Sequence, residues 1–480
     1  MEEIDIATIK KKSLSGIVAL TSQTFLLQVV AFGATVLLTI FLTPSIFGIF
    51  YVVSAIIAFL SYFSDIGLAA ALIQKKEALT HEDLVTTFTI QQTLVLSMSI
   101  LAFFLAPTIG HFYKLDASGI MLLRALVISF FCSSLKTIPS VLLERKLEFK
   151  KLIIPEIVET FVFYFIAVVL AWRGMGIVSF TWAVLVRGIV GLIVMYSISP
   201  WPVSFGISRD VAKRLLKFGV PFQMNSFLAL LKDDLMTVFL GKVLPFAQVG
   251  YIGWAKKWAE VPLRLIMDSV IRVTFPTFSR LQHSKELLGK AIEQTIFGLS
   301  LAIFPISVGL LFFVEPAVKL IPKYGKWEPA LFSFALFILS SALAGFSTPL
   351  TNALNAVGRI KITMILMIFW TIATWILTVI FIHFFGFNGF AIALCILSFS
   401  LVIVIQLTRK IAKFSFIEYM KWPLIGALLQ AALYIIARGN APYNIPRLIL
   451  VAVSGVILYT AIVWVTQRKR IVDILRAFHI

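Results

Sequence analysis

Runs of about twenty apolar residues, the length a helix needs to cross a hydrocarbon layer of ~30 Å, recur from Ser15 to Val465 with only short polar breaks. No other feature constrains the fold as strongly. Hydrophobic residues make up 60% of the 480 and charged residues 14%, against roughly half and a quarter in soluble domains. Mean hydropathy is +0.99. The chain reads as an all-α integral membrane protein, and no polar stretch is long enough for a separate soluble domain.

Fourteen spans are predicted, near 15–41, 46–73, 86–111, 119–142, 153–171, 176–198, 218–240, 247–271, 292–314, 329–350, 362–384, 387–408, 422–437 and 447–466. An even count puts both termini on one side. The short loops and tails of that side carry 26 Lys and Arg, including Lys10-Lys11-Lys12, Arg145-Lys146 and Arg468-Lys469-Arg470, and the opposite side carries 8. By the positive-inside rule, both termini are cytoplasmic. The eighth span, 247–271, is charged enough to be weak in hydropathy. Omitting it would place the clusters at Arg359/Lys361, Arg409–Lys421 and Arg468–Arg476 outside, so parity retains it.

Comparison of the chain with itself shows a repeat. "TIFLTPSIFGIFY" at 39–51 corresponds to "TVFLGKVLPFAQVGY" at 237–251, "IPSVLLERKLEFKK" at 138–151 to "TPLTNALNAVGRIK" at 348–361, and "WRGMGIVSF" at 172–180 to "HFFGFNGFAI" at 383–392. These offsets predict two six-helix pseudo-symmetric lobes around a central cavity, 1–200 and 201–410, followed by an extra helix pair and cytoplasmic tail over 411–480. Parallel repeats about an axis along the membrane normal are a transporter design, with substrate held between the lobes. Duplication in a channel or scaffold is the alternative.

Charges inside spans must face protein or water rather than lipid. In the eighth span Lys256, Glu260, Arg264, Asp268 and Arg272 alternate in sign at intervals of four, which stacks them on one helical face. Lys257 adds a further cation. Pro262 is expected to interrupt the helix. The stripe is either one wall of a hydrated cavity or a self-satisfied ladder of ion pairs. "FLALLKDDLMTVFLG" at 227–241 places Lys232, Asp233 and Asp234 in an oily run, and these are expected to face the stripe across water. Asp65 ends the second span, in a capping, loop or coupling role. Arg124, Lys136, Glu156, Glu159 and Arg187 are further charges within spans, and geometry decides which of the basic groups remain unpaired.

Enzyme signatures are missing. There is no phosphate-binding G-x-x-x-x-G-K-[ST] loop, no D-x-D and no histidine cluster, the five histidines lying at 81, 111, 283, 383 and 479. No catalytic residue, metal or cofactor is expected. Cys132 and Cys395 sit apart in apolar spans and read as packing residues. Residues 1–13 mix acids with lysines, lack a small-residue cleavage site and read as an interfacial tail, not a signal peptide. The net charge of +19 suits anionic lipid headgroups and not nucleic acid.

"DIGLAAALIQKKEAL" at 65–79, "LLERKLEFKKL" at 142–152, "FGVPF" at 218–222 followed by Asp233, and "FPTFSRLQ" at 275–282 resemble the bacterial polysaccharide flippases of the multidrug/oligosaccharidyl-lipid/polysaccharide exporter superfamily. The resemblance spans the chain. It implies a V-shaped cavity lined by helices one, two, seven and eight, and alternating access. The implied substrate is a polyprenyl-diphosphate-linked oligosaccharide moved to the outer leaflet of the bacterial cytoplasmic membrane. Membrane lipids and a polysaccharide polymerase machinery are the implied partners. The extra pair is similar to that of the lipid II flippase, where it is associated with the lipid tail. This chain departs from many relatives in carrying Lys232-Asp233-Asp234 in place of a lone Asp with neutral neighbours. Arg264, Lys256, Lys257, Arg272 and Lys232 are the candidate diphosphate ligands. Asn225, Tyr251, Trp254 and Trp258 are candidate sugar contacts, with ordinary packing as the alternative. Asp233, Asp234, Glu260, Asp268 and Asp65 are coupling or ion-pair candidates. A gradient-driven multidrug or cation exporter of the same superfamily is the rival, and it requires an acid-dominated cavity. A reporter fused after Lys290 is expected to read as cytoplasmic, and an external reading removes the fourteen-span topology.

Overall fold

Where the apolar runs break, the sequence supplies helix caps. The structure, a computed structural model, describes residues 26–224, 227–438 and 444–478. Helix α1 runs over Leu26–Phe41, and α2 (Pro44–Asp65) starts on a proline preceded by an extended Thr43, the position where a missing N–H costs nothing. Ile66 at φ 46° and Gly67 at φ 73° end it and begin α3 (Leu68–Gln74). Thr80 and Asp83 form a capping box at the start of α4 (His81–Tyr113), and the Asp116 side chain caps α5 (Ala117–Leu135). Then come α6 (Thr137–Arg145), α7 (Phe149–Trp172), α8 (Val178–Ile198), α9 (Arg209–Met224), α10 (Phe227–Val243) and α11 (Phe246–Leu281). The chain continues through α12 (Lys285–Leu320), a 3-10 turn, α13 (Leu331–Ala356), α14 (Ile360–Phe385), α15 (Asn388–Ser398), α16 (Leu401–Arg409), α17 (Phe416–Arg438) and α18 (Ile445–Phe478). No strand occurs among the described residues.

Among the described residues, eleven helices or helix pairs are long and apolar enough to cross a membrane. Of the other three expected spans, 15–41 lies outside the described residues up to its α1 part. The spans 218–240 and 247–271 correspond chiefly to α10 and α11, which are helical but too short or too charged for that criterion. Three expected spans are broken helices: 46–73 at Ile66-Gly67, 119–142 at Lys136, and 387–408 at Phe399-Ser400. The interruption expected at Pro262 does not occur, since α11 remains helical through it. Large apolar side chains such as Phe104, Phe165 and Ile436 stand outward at 70% exposure or more. In water such patches would aggregate, whereas in lipid they are the solvent-matched face.

The chain divides into two compact units, 1–250 and 251–480. In the first, α7 and α5 pack on α8, α2 packs on α5 and α10, and α3 packs on α9. One end of this unit holds a core of Leu68, Leu72, Phe88, Ile138, Trp201 and Leu215. In the second, α12 and α13 pack together over Met267, Phe278, Ile292, Ile303, Phe346 and Leu350. The α17–α18 pair docks on α12, where the Tyr434 ring meets Phe312 and Phe313 at 4.8 and 5.2 Å. The Tyr459 hydroxyl donates to the Leu301 carbonyl at 3.2 Å.

The repeated segments 39–51 and 237–251 meet inside the first unit. A Cβ on Gly48 would overlap the Phe246 carbonyl, and one on Gly250 would overlap the Pro44 carbonyl. Each segment thus supplies a glycine to the other's first helical turn. At the far end of α2, Gly67 and Gly219 are opposed in the same way, and Gln223 Nε2 donates to the Tyr62 carbonyl at 2.8 Å. Overpacking at such contacts costs ~1–3 kcal/mol. Gly48→Ala and Gly250→Ala are therefore expected to lower the thermal unfolding temperature of the detergent-solubilised protein. Gly33→Ala, on α1 with nothing within 4 Å of its Cβ position, is expected to be neutral or to stabilise by up to about 1 kcal/mol. Equal melting of Gly33→Ala and Gly48→Ala contradicts the close-packing assignment.

Candidate functional site

A helix with charges at every fourth position can satisfy them along its own face, and the visible part of the α11 stripe does so loosely. Glu260 lies 3.9 Å from Lys256 and 3.4 Å from Arg264. One carboxylate stands between two cations, and the Arg264 side chain is 67% exposed. The Lys256 ammonium also lies 5.9 Å from the Phe390 ring centre, and Lys257 is half-buried. Asp268 and Arg272 lie on α11, and their side chains fall outside the described residues.

The aromatic candidates divide. Trp254 is 2% exposed, donates from Nε1 to the Tyr324 hydroxyl at 3.2 Å and stacks on Trp327 at 5.5 Å. It is a packing residue. Tyr251 packs on Phe387 and Trp327, and Trp258 is half-buried. On α10, Lys232 and Asp234 are half-buried and Asp233 is exposed. Asn225 lies outside the described residues, as does the side chain of Asp65, the last residue of α2.

Two charge clusters of the first unit were not assembled by sequence reasoning. Glu159 of α7, 7% exposed, binds Lys136 at the α5–α6 junction and lies 3.4 Å from Arg187 Nε of α8. Arg187 also covers the Phe163 ring at 5.9 Å. Three helices are tied through a single carboxylate. The second cluster holds a loop. Arg145 donates to the carbonyls of Leu72, Lys75 and Glu77 at 2.7, 2.6 and 2.8 Å. Asp83, fully buried, accepts from Thr80 N and Oγ1, from Lys75, and from Arg214 Nη2 of α9 at 2.8 Å. The segments 65–79 and 142–152 that carry the resemblance are therefore two parts of one clamp. The Thr80-x-x-Asp83 capping pattern was the legible signal for it.

The fold has solved counterparts. A lipid II flippase, MurJ, in an inward closed conformation superposes with a TM-score of 0.77 over 94% of this chain and 99% of its own, at 16% identity. An inward-facing multidrug resistance MATE family transporter of the MOP superfamily gives 0.60 over 86% and 96%, also at 16% identity. The protein has the helical fold of this superfamily. The chain belongs to the polysaccharide biosynthesis protein family, whose model matches residues 37–331. It is 23% identical to the succinoglycan biosynthesis transport protein ExoT of Rhizobium meliloti (strain 1021), covering 91% of this chain and 90% of that one. It is 25% identical to the lipopolysaccharide biosynthesis protein WzxC of Escherichia coli (strain K12), covering 68% and 66%.

Removing one member of a buried ion cluster strands the others, at about 3–5 kcal/mol. Glu159→Gln is expected to destabilise by that amount in chemical unfolding of the micellar protein. Adding Lys136→Met is expected to recover much of the loss. Additive losses in the double variant would contradict the coupling.

Proposed function

We propose that this protein is a flippase that carries polyprenyl-diphosphate-linked oligosaccharide units from the cytoplasmic to the outer leaflet by alternating access, for cell-surface polysaccharide synthesis. The observation that carries the reading is Arg264: a largely exposed guanidinium on a helix of a membrane bundle, sharing one carboxylate with Lys256 at long distances. A diphosphate cannot enter hydrocarbon unpaired, and such an arginine offers it donors without first breaking a tight pair. Family membership and the likeness to a succinoglycan biosynthesis transport protein support the same reading.

In this proposal the chain crosses the bacterial cytoplasmic membrane fourteen times with both termini inside. Residues 1–200 and 201–410 are the two lobes, and 411–480 is the extra pair and tail. Lys256, Lys257, Arg272 and Lys232 join Arg264 around the diphosphate. Asp233, Asp234, Glu260 and Asp268 serve coupling or pairing. No chemical step is required of the protein, and a polysaccharide polymerase machinery takes up the product. The rival, a multidrug or cation exporter, is disfavoured by the cationic end of the stripe.

Charge-assisted hydrogen bonds to a phosphate are worth enough for Arg264→Ala to reduce export roughly tenfold, and for Arg264→Lys to retain part of it. Lys285→Ala, at the first residue of α12, is expected to be silent. The measurement is surface polysaccharide in cells dependent on this protein, with expression matched. Normal export by Arg264→Ala, or cationic drug efflux without glycan transfer in purified vesicles, removes the reading.

A further inference from the structure

Of the cations that the sequence places inside spans, Arg124 of α5 has no acidic partner among the described residues, and its Nε is buried without a hydrogen bond. Its guanidinium instead lies 5.0 Å from the centre of the Phe103 ring of α4. On the same α5 face, Val127, Ile128 and Phe131 join Ser99, Ile100, Phe103 and Phe104 of α4 around an apolar groove of about 190 Å³. Ser99 Oγ, in that lining, is also buried without a partner. Ile100, Phe104 and Ile128 are 50%, 74% and 41% exposed, so the groove opens to the lipid-facing side.

The order of these groups along the helix matters. Arg124 lies seven residues into α5, or ~10 Å from its start, whereas Phe131 lies ~21 Å in. The cation is nearest the interface and can extend toward it on its apolar stem. The groove runs from there toward the bilayer centre. Head outward and chain inward is the arrangement of a phospholipid. A guanidinium fork pairs with phosphate oxygens through two donors, and a lone cation complements a head of net negative charge.

We infer that the α4–α5 face binds an anionic phospholipid, with one acyl chain in the groove and its phosphate on Arg124. Assignment to the outer leaflet rests on the topology proposed above. Occupancy itself is read on purified protein and stands apart from the flippase reading.

The test is native mass spectrometry of the full chain in detergent with phosphatidylglycerol or phosphatidylcholine. Wild type is expected to retain one phosphatidylglycerol in preference to phosphatidylcholine. Arg124→Gln, which removes the phosphate partner, and Ile128→Trp, which fills the groove, are each expected to weaken retention about tenfold. Lys146→Gln, at an exposed cation, is expected to leave it unchanged. Unchanged retention in either test variant, melting as wild type does, overturns the site. Displacement of labelled phosphatidylglycerol by a polyprenyl diphosphate more readily than by unlabelled phosphatidylglycerol also overturns it, since the groove would then be a substrate site.

Discussion

A charge held at membrane depth has two outlets, a partner or an opening to water, and this constraint organises the bundle more than any apolar contact does. Glu159 shows the first outlet. Buried in α7, it takes Lys136 from the α5–α6 junction and Arg187 from α8, so it fixes the rotation of three helices about their axes. Apolar packing alone is poor at this in lipid, where neighbouring tails are as oily as the helix face. Gly191 of α8 is the complement: a Cβ there would overlap the Glu159 carboxylate. The small residue is thus a requirement of the charged one.

Close backbone approach supplies the second kind of order. The repeat visible in the sequence becomes a reciprocal contact, Gly48 against the Phe246 carbonyl and Gly250 against the Pro44 carbonyl. In each copy a proline opens a helix and a glycine follows one turn or so later. Small residues let helices approach closely enough for dispersion contacts to add up. The loop clamp completes the picture at the other end of α2, where Ile66 and Gly67 leave the helix and Arg145 gathers carbonyls from the last turn of α3 and the loop after it.

What could be read from the sequence follows from where the signal lay. Long apolar runs announce themselves, so the membrane class and most helices were legible. The charged α11 was reached only through parity and the positive-inside rule, because hydropathy averages away a polar stripe. The break at Lys136 was hidden inside an apolar run. Of the loop clamp, the Thr80-x-x-Asp83 half leaves a capping pattern, whereas the Arg145 half leaves none, because its acceptors are backbone carbonyls, which every residue has. Trp254 shows the remaining ambiguity: an aromatic at a helical interval reads the same whether it faces a ligand or, as here, stacks on Trp327 in a core.

Bond length separates the charges that build the bundle from those suited to a passing ligand. Asp83 is held by Arg214 at 2.8 Å and by three further donors, and exchanging any of them would leave a fully buried acid short. Glu260 serves Lys256 and Arg264 at 3.9 and 3.4 Å, beyond the usual range of a charge-assisted hydrogen bond. A transported anion must be bound and then released, which a saturated pair does not permit and a bare buried cation would make costly. A loosely shared carboxylate meets both demands. In the proposed function it keeps Arg264 compensated when the surface is empty, and it yields the guanidinium when the diphosphate arrives.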